Sequence, residues 1–235
     1  MTGRVRIHWR YPILRTAMRL LTFIVLGSRG HLAVSGVENI PRHGPLIIVG
    51  NHVATLDPPL VGSRLPRLDV FYMAKAETFR TRWARYFLRG YNAFPVVRHS
   101  ADRTAIEYSL QVLREGHVLV MYPEGSRSPD GQLARAYPGV GFLARKAGVP
   151  VVPAAIWGGE HVLPKGRILP RSAPVTLVYG EPITLGERNP DGTRLTNQHA
   201  ADLLMARLAA LLPEHYRGAY AAGIPDDEPE HPSAA

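Results

Sequence analysis

His52 and Asp57 stand five positions apart in LIIVGNHVATLD, residues 46–57. A neutral imidazole held by a carboxylate can take a proton from a hydroxyl as that oxygen attacks an acyl carbon. The acid fixes the tautomer and stabilises the imidazolium that forms. Five positions amount to roughly 140° around a regular helix, so the two side chains would not share a helical face. They can meet across a turn, and the flanking sequence supplies one. Residues 46–49 form a short apolar, β-branched run that reads as a buried strand. Gly50 permits a tight backbone path, and Asp57 before Pro58 and Pro59 reads as a helix N-cap with proline at the first helical position. His52 is therefore expected between a strand end and a helix start, where open α/β sheets hold their ligands. No G-x-S-x-G elbow and no cysteine accompany the pair, so the attacking hydroxyl is expected to belong to the substrate.

Two further clusters follow apolar runs. Arg98 closes FPVVR, and Glu124, Gly125, Ser126 and Arg127 follow the run over 118–122. Strand ends converge on one rim of a sheet. One His, one Asp, one Glu and two Arg gathered there would recognise a phosphate beside a nucleophilic hydroxyl, because arginine's planar fork suits phosphate oxygens. Backbone amides around Gly50 to His52, or at Gly125, are the candidates to hold a tetrahedral oxyanion. The absence of cysteine excludes disulfides and thiolate metal sites, and no H-x-x-x-H or H-x-x-E-H pattern occurs, so no metal is expected.

The elements that must position these residues alternate in type. Strands are expected over 32–37, 46–49, 69–73, within 90–98, and over 118–122, 150–157 and 175–179. Helices are expected from Pro59 to Leu65 and over 77–90, 102–114, 140–147 and 195–212. This alternation predicts an α/β fold, a single-domain mixed sheet flanked by helices. In the helix over 102–114 the apolar side is read as Ile106, Leu110 and Leu113. The domain division follows: an N-terminal interface helix in 1–30, a catalytic domain over 31–217, and a Pro-, Glu- and Ala-rich disordered tail over 218–235.

With 28 basic and 19 acidic residues the net charge is +9, which suits an anionic partner. Two segments narrow the choice. Residues 11–26 carry Arg15 and Arg19 one turn apart, with Trp9 just before them. Residues 77–90 interleave Phe79, Trp83 and Phe87 with Arg80, Arg82, Arg85 and Arg89. Both suit helices lying in an anionic membrane interface; a core helix with solvated arginines is the alternative for each. The uncharged stretch over 20–28 is too short to cross a bilayer, and no convincing cleavage site marks a secretory signal. No nucleic-acid-binding module surrounds the arginines, so no nucleic-acid partner is expected.

NHVATLD, GYNAFPVVR, PEGSRS and VPVVPAAIWG, in this order and spacing over residues 32–183, resemble the four blocks of the PlsC-type 1-acylglycerol-3-phosphate acyltransferases. The resemblance implies transfer of a fatty acyl group from acyl-CoA or acyl-carrier protein to the free hydroxyl of lysophosphatidate, giving phosphatidate, with no cofactor beyond the donor substrate. It also implies a peripheral enzyme on the cytoplasmic face of the cell membrane. It makes His52 the base and Asp57 its partner. Arg98, Glu124, Gly125, Ser126 and Arg127 would bind the acceptor's glycerol phosphate, and the fourth block, with Val152 and Pro153, would shape a substrate pocket. Val97 stands where an acidic residue is frequent, Ser126 where threonine is common, and the run ARAYPG over 134–139 is unusual. These departures leave open another lysophospholipid or an amino-acid lipid as acceptor. A non-catalytic lipid-binding protein would keep the pocket but transfer no label.

Overall fold

A computed structural model describes residues 32–97, 102–162, 164, 171–189 and 192–225, with Thr16, Ala17 and Leu20. The apolar runs become strands of one sheet: β1 Leu32–Ser35, β2 Leu46–Gly50, β3 Val70–Lys75, β4 Ala93–Val96, β5 Val118–Met121, β6 Val151–Trp157 and β7 Val175–Tyr179. Their spatial order is β1-β7-β6-β2-β5-β3-β4. Strands β2 to β6 run parallel, β7 pairs antiparallel with β6, and β1 pairs parallel with β7. The sheet is therefore mixed. All of β2 is buried, which is why LIIVG lacks the polar alternation of a one-sided strand.

Six helices cover the sheet among the described residues: α1 Asp57–Arg64, α2 Arg82–Gly90, α3 Arg103–Arg114, α4 Gly139–Ala147, α5 Gly159–Val162 and α6 Asn197–Ala209. Leu60 and Val61 of α1 pack on the face shown by Ile48, Val120 and Ile156. Val112 of α3, Leu143 of α4 and Leu204 of α6 pack on the opposite face with Ile47, Val49 and Leu119. The chain steps outward from β2 through β3 to the edge strand β4, then returns on the other face to place β5 and β6 on either side of β2. The carboxyl ends of β2 to β6 thus share one rim, and the direction of winding reverses around β2. That is where doubly wound sheets open a crevice.

Several sequence expectations shift for physical reasons. The buried seam of α3 is Ala105, Ser109, Val112 and Leu113, with Ile106 and Leu110 only partly covered. Asp102 caps this helix by accepting from the Ala105 amide at 3.0 Å. Its other oxygen accepts from the Val97 amide at 2.9 Å. The single helix expected over 77–90 divides into a 3-10 turn at Ala76–Phe79 and α2, whose N-cap Thr81 accepts from the Ala84 amide. Phe79 therefore leaves the stripe of Trp83 and Phe87 and packs against the core.

The first residues of the expected tail, 218–225, are described and ordered against the domain. Gly218–Tyr220 forms a 3-10 turn, and the buried Tyr220 hydroxyl accepts from the Ala136 amide at 3.0 Å and donates to Asp202 Oδ1 at 2.7 Å. Tyr220 buries its ring and satisfies its hydroxyl, which holds this part of the expected tail against the domain. Residues 226–235 lie outside the described residues, as do Trp9, Arg15, Arg19 and Arg98. Among the described residues no helix is long and apolar enough to cross a membrane.

Candidate active site

The site begins where β2 leaves the ladder. Asn51 is buried; its amide donates to the Ile156 carbonyl at 2.7 Å, and its carbonyl accepts from the Ile156 amide at 2.8 Å. One side chain thus continues the β2–β6 pairing after the backbone has turned away. Residues 52–54 are then free to curl back, and the Asp57 amide donates to the Ala54 carbonyl at 3.2 Å.

Inside this curl His52 Nδ1 lies 2.9 Å from Asp57 Oδ2, and the same oxygen accepts from the Val53 and Ala54 amides, both at 2.7 Å. Asp57 is the first residue of α1, not its N-cap; that position is Leu56 and has no side-chain cap. Pro58 and Pro59 have no N–H, so two of the amides that a cap would satisfy do not exist. The carboxylate turns the other way, toward the histidine. Asp57 is wholly buried, and burial pushes its carboxyl up from the ordinary range, offset in part by His52 and the two amides. Oδ1 is buried without a hydrogen-bond partner among the described residues. Gly159 opens α5 against it, where a Cβ would stand 3.2 Å from that oxygen.

Tyr122 covers the imidazole: the ring centroids are 4.6 Å apart, tilted by 33°. Register explains the contact. Val49 pairs with Met121, so the next residues, Gly50 and Tyr122, are neighbours, and a Cβ on Gly50 would meet the tyrosine ring at 3.0 Å. With Nδ1 on Asp57 and one face under Tyr122, the ring has Nε2 left for a substrate, and the side chain is 16% exposed.

The turn after β5 braces this arrangement. Glu124 Oε1 accepts from the His52 amide at 2.9 Å, and Oε2 accepts from the Ala134 amide at 3.0 Å. The Ser128 amide donates to the His52 carbonyl at 2.8 Å. Both backbone groups of His52 are therefore held by one neighbouring turn. Glu124 is buried, and its carboxylate is engaged by backbone, whereas the resemblance implied an acceptor contact. Arg127 and Ser126 are exposed at the rim, and Arg127 Nη1 donates to Thr55 Oγ1 at 2.8 Å. Gly125 has φ 70°, and a Cβ there would meet Tyr137 at 3.0 Å. The Gly125 amide donates to the Tyr122 carbonyl at 3.0 Å. The amides of His52 and Gly125 are thus already engaged, which removes both as expected oxyanion donors. Val152 and Pro153 pair with Ile48 and Val49 inside the sheet, as core rather than pocket wall. Among the described residues no three His, Asp or Glu side chains gather to hold a metal.

Sequence reasoning passed over Tyr122, Thr55 and Gly159. Period-two alternation from Val118 and Val120 signals that Tyr122 points to the α1 face. Thr55 and Gly159 have no local signal, because their partners are distant in sequence.

Burial raises the Glu124 carboxyl to about 7. A carboxyl raised on folding contributes stability that is present below about pH 4.5 and is lost as pH rises through about 7. The shift corresponds to about 3 kcal/mol. The melting temperature of the wild-type protein is therefore expected to fall from about pH 5 to about pH 8, and Glu124→Gln is expected to flatten that slope. Parallel slopes for the two proteins in thermal melts would remove Glu124 as the titrating group.

A family model, Acyltransferase, matches residues 31–157. The chain belongs to the acyltransferase family. The matched region holds β1 to β6 with His52, Asp57, Glu124 and Arg127; β7 and α6 complete the sheet and one helical layer outside it. This acyltransferase is 31% identical over 164 residues to the 1-acyl-sn-glycerol-3-phosphate acyltransferase of Bacillus subtilis, covering 68% of the chain and 77% of that relative. It is 27% identical to the corresponding Streptococcus pneumoniae enzyme, covering 73% of the chain and 63% of that relative, so it spans less than two thirds of that protein's length. The crystal structure of PlsC, the 1-acyl-sn-glycerophosphate (LPA) acyltransferase from Thermotoga maritima, superposes with a TM-score of 0.60 at 29% identity, covering 72% of this chain and 67% of that one. The seven-stranded mixed sheet flanked by helices is the fold of that enzyme.

Proposed function

We propose that this acyltransferase acylates the free hydroxyl of 1-acylglycerol-3-phosphate, giving phosphatidate, with acyl-CoA or acyl-carrier protein as donor. One observation carries the reading: His52, oriented by Asp57 at 2.9 Å, shares the carboxyl rim of the sheet with Arg127, which is tied to Thr55 of the same turn. A proton acceptor and a phosphate-binding cation thereby stand side by side. The names of the Bacillus, Streptococcus and Thermotoga relatives support the acceptor.

In this mechanism His52 Nε2 takes the proton from the acceptor hydroxyl. The oxygen attacks the thioester carbonyl, and the tetrahedral intermediate collapses with cleavage of the C–S bond. The departing sulfur takes the proton from the imidazolium, so the base is restored. Asp57 fixes the Nδ1–H tautomer and stabilises the cation between the two transfers. Arg127, with Arg98, holds the phosphate, while Glu124, Gly125 and Ser126 shape the turn that presents Arg127. Catalysis takes place at the cytoplasmic face of the cell membrane, to which the enzyme is attached peripherally. A long-chain lysolipid stays in the bilayer because each buried CH₂ is worth about 0.8 kcal/mol.

The test is transfer from labelled acyl-CoA to a panel of lysolipids, read by mass spectrometry. Lysophosphatidate is expected to be the preferred acceptor, and Arg127→Ala is expected to raise its KM about tenfold with little change in kcat, as suits loss of a charge-assisted contact at an exposed site. Preference for an uncharged acceptor, or an unchanged KM in the variant, would overturn the assignment.

A further inference from the structure

Helix α2 is built inside out. Only Ala84, Leu88 and Gly90 turn inward; the outer surface is arginine and aromatic ring. Arg82, Arg85 and Arg89, at i, i+3 and i+7, share one side and with Tyr86 line an open groove of about 170 Å³. Arg85 Nε donates to the Phe79 carbonyl at 3.3 Å, which fixes one wall. Among the described residues none of the three arginines forms an ion pair with a carboxylate. Next to the groove Trp83 is 84% exposed and Phe87 53% exposed.

We propose that this groove seats the phosphate of an anionic membrane lipid, with Trp83 and Phe87 entering the boundary between headgroups and acyl chains. A cationic groove alone would suit any polyanion. The two neighbouring rings favour a lipid surface, because an exposed tryptophan gains where one end of the ring is apolar and the other wet. Placement agrees. α2 follows the carboxyl end of β3 through the 3-10 turn Ala76–Phe79, so its first turn stands at the rim that carries His52. A bilayer against α2 is then beside the crevice that must receive a lipid hydroxyl. The inference rests on the proposed reading of this chain as a lysolipid acyltransferase and names the surface that brings it to its substrate.

The experiment uses the full chain and vesicles of phosphatidylcholine, with and without phosphatidylglycerol, at low and high salt. Each arginine near an anionic surface is worth about fivefold in partitioning, so R82Q/R85Q/R89Q is expected to bind the anionic vesicles on the order of a hundredfold less tightly at low salt. The triple lysine variant is expected to stay close to wild type. Trp83→Ala with Phe87→Ala should weaken binding to both kinds of vesicle. Activity on a water-soluble, short-chain lysophosphatidate should be unchanged in all of them, since none of these side chains belongs to the catalytic site. That soluble assay separates the two ideas: inactive wild-type protein would sink the proposed reaction, while the vesicle arm still reads the surface. Unchanged vesicle binding in the glutamine variant would overturn the lipid site. Loss of turnover only when acyl-carrier protein is the donor would also overturn it, assigning the groove to an acidic protein instead.

Discussion

His52→Ala is expected to lower turnover by about 10²- to 10⁴-fold, the range that a positioned general base supplies. The acceptor KM should stay near wild type, because the Arg127–Thr55 contact does not pass through the imidazole. The fold should also survive. His52 is anchored by its amide on Glu124 and its carbonyl on Ser128, and alanine keeps both. Asp57 would retain the Val53 and Ala54 amides. What is lost is the ring beneath Tyr122, a modest loss of packing at a partly exposed position. Transfer measured with short-chain donor and acceptor avoids any change in membrane delivery. Partial recovery on adding imidazole would show that the missing group is the proton carrier itself. Turnover within a few-fold of wild type would reject His52 as the base. A collapse of the melting temperature would reassign it to the scaffold.

The pairing of His52 with Asp57 was legible because everything needed for it is local: a strand that ends at a glycine, a turn, and a helix opened by prolines. The direction of the Asp57 carboxylate was not. Capping rules assume amides to cap, and Pro58 and Pro59 remove them, so the aspartate serves the histidine instead of its own helix. Glu124 marks a different boundary. Its type and its place after β5 suggest a rim residue, but only the fold reveals that two backbone amides occupy it. Tyr122 lies over Gly50 by virtue of β2–β5 register, a long-range property that no window of sequence contains. The spacing of Phe79, Trp83 and Phe87 is helical, yet the helix starts only after Thr81, so the first ring joins the core while the others remain outside. At the start of the expected tail, composition missed Tyr220, whose buried hydroxyl has specific partners at Ala136 and Asp202 that a polar average does not show.

Asp57→Asn separates what the dyad does for chemistry from what it does for the fold. Asparagine keeps the shape, and its oxygen can still accept from the Val53 and Ala54 amides and face His52 Nδ1, but it supplies no charge to an imidazolium. Turnover is expected to fall by about 10²- to 10⁴-fold, with acceptor KM little changed. Stability should respond to pH in a definite direction. Burial raises the Asp57 carboxyl above its unfolded value, so its contribution to folding is greatest in acid and declines as pH rises through the folded value. A neutral amide has no such decline. The melting temperature of the variant should therefore fall less steeply with pH than that of wild type, even though its activity is nearly gone. The amide NH₂ would sit where Oδ1 does now, buried against Gly159 with no hydrogen-bond partner among the described residues, which offsets part of the gain at neutral pH. Thermal melts across the pH range, set beside kcat for the same samples, decide the matter. An active Asn variant would mean that the imidazole needs no carboxylate. Equal pH slopes would mean that Asp57 is not ionised at the expense of the fold.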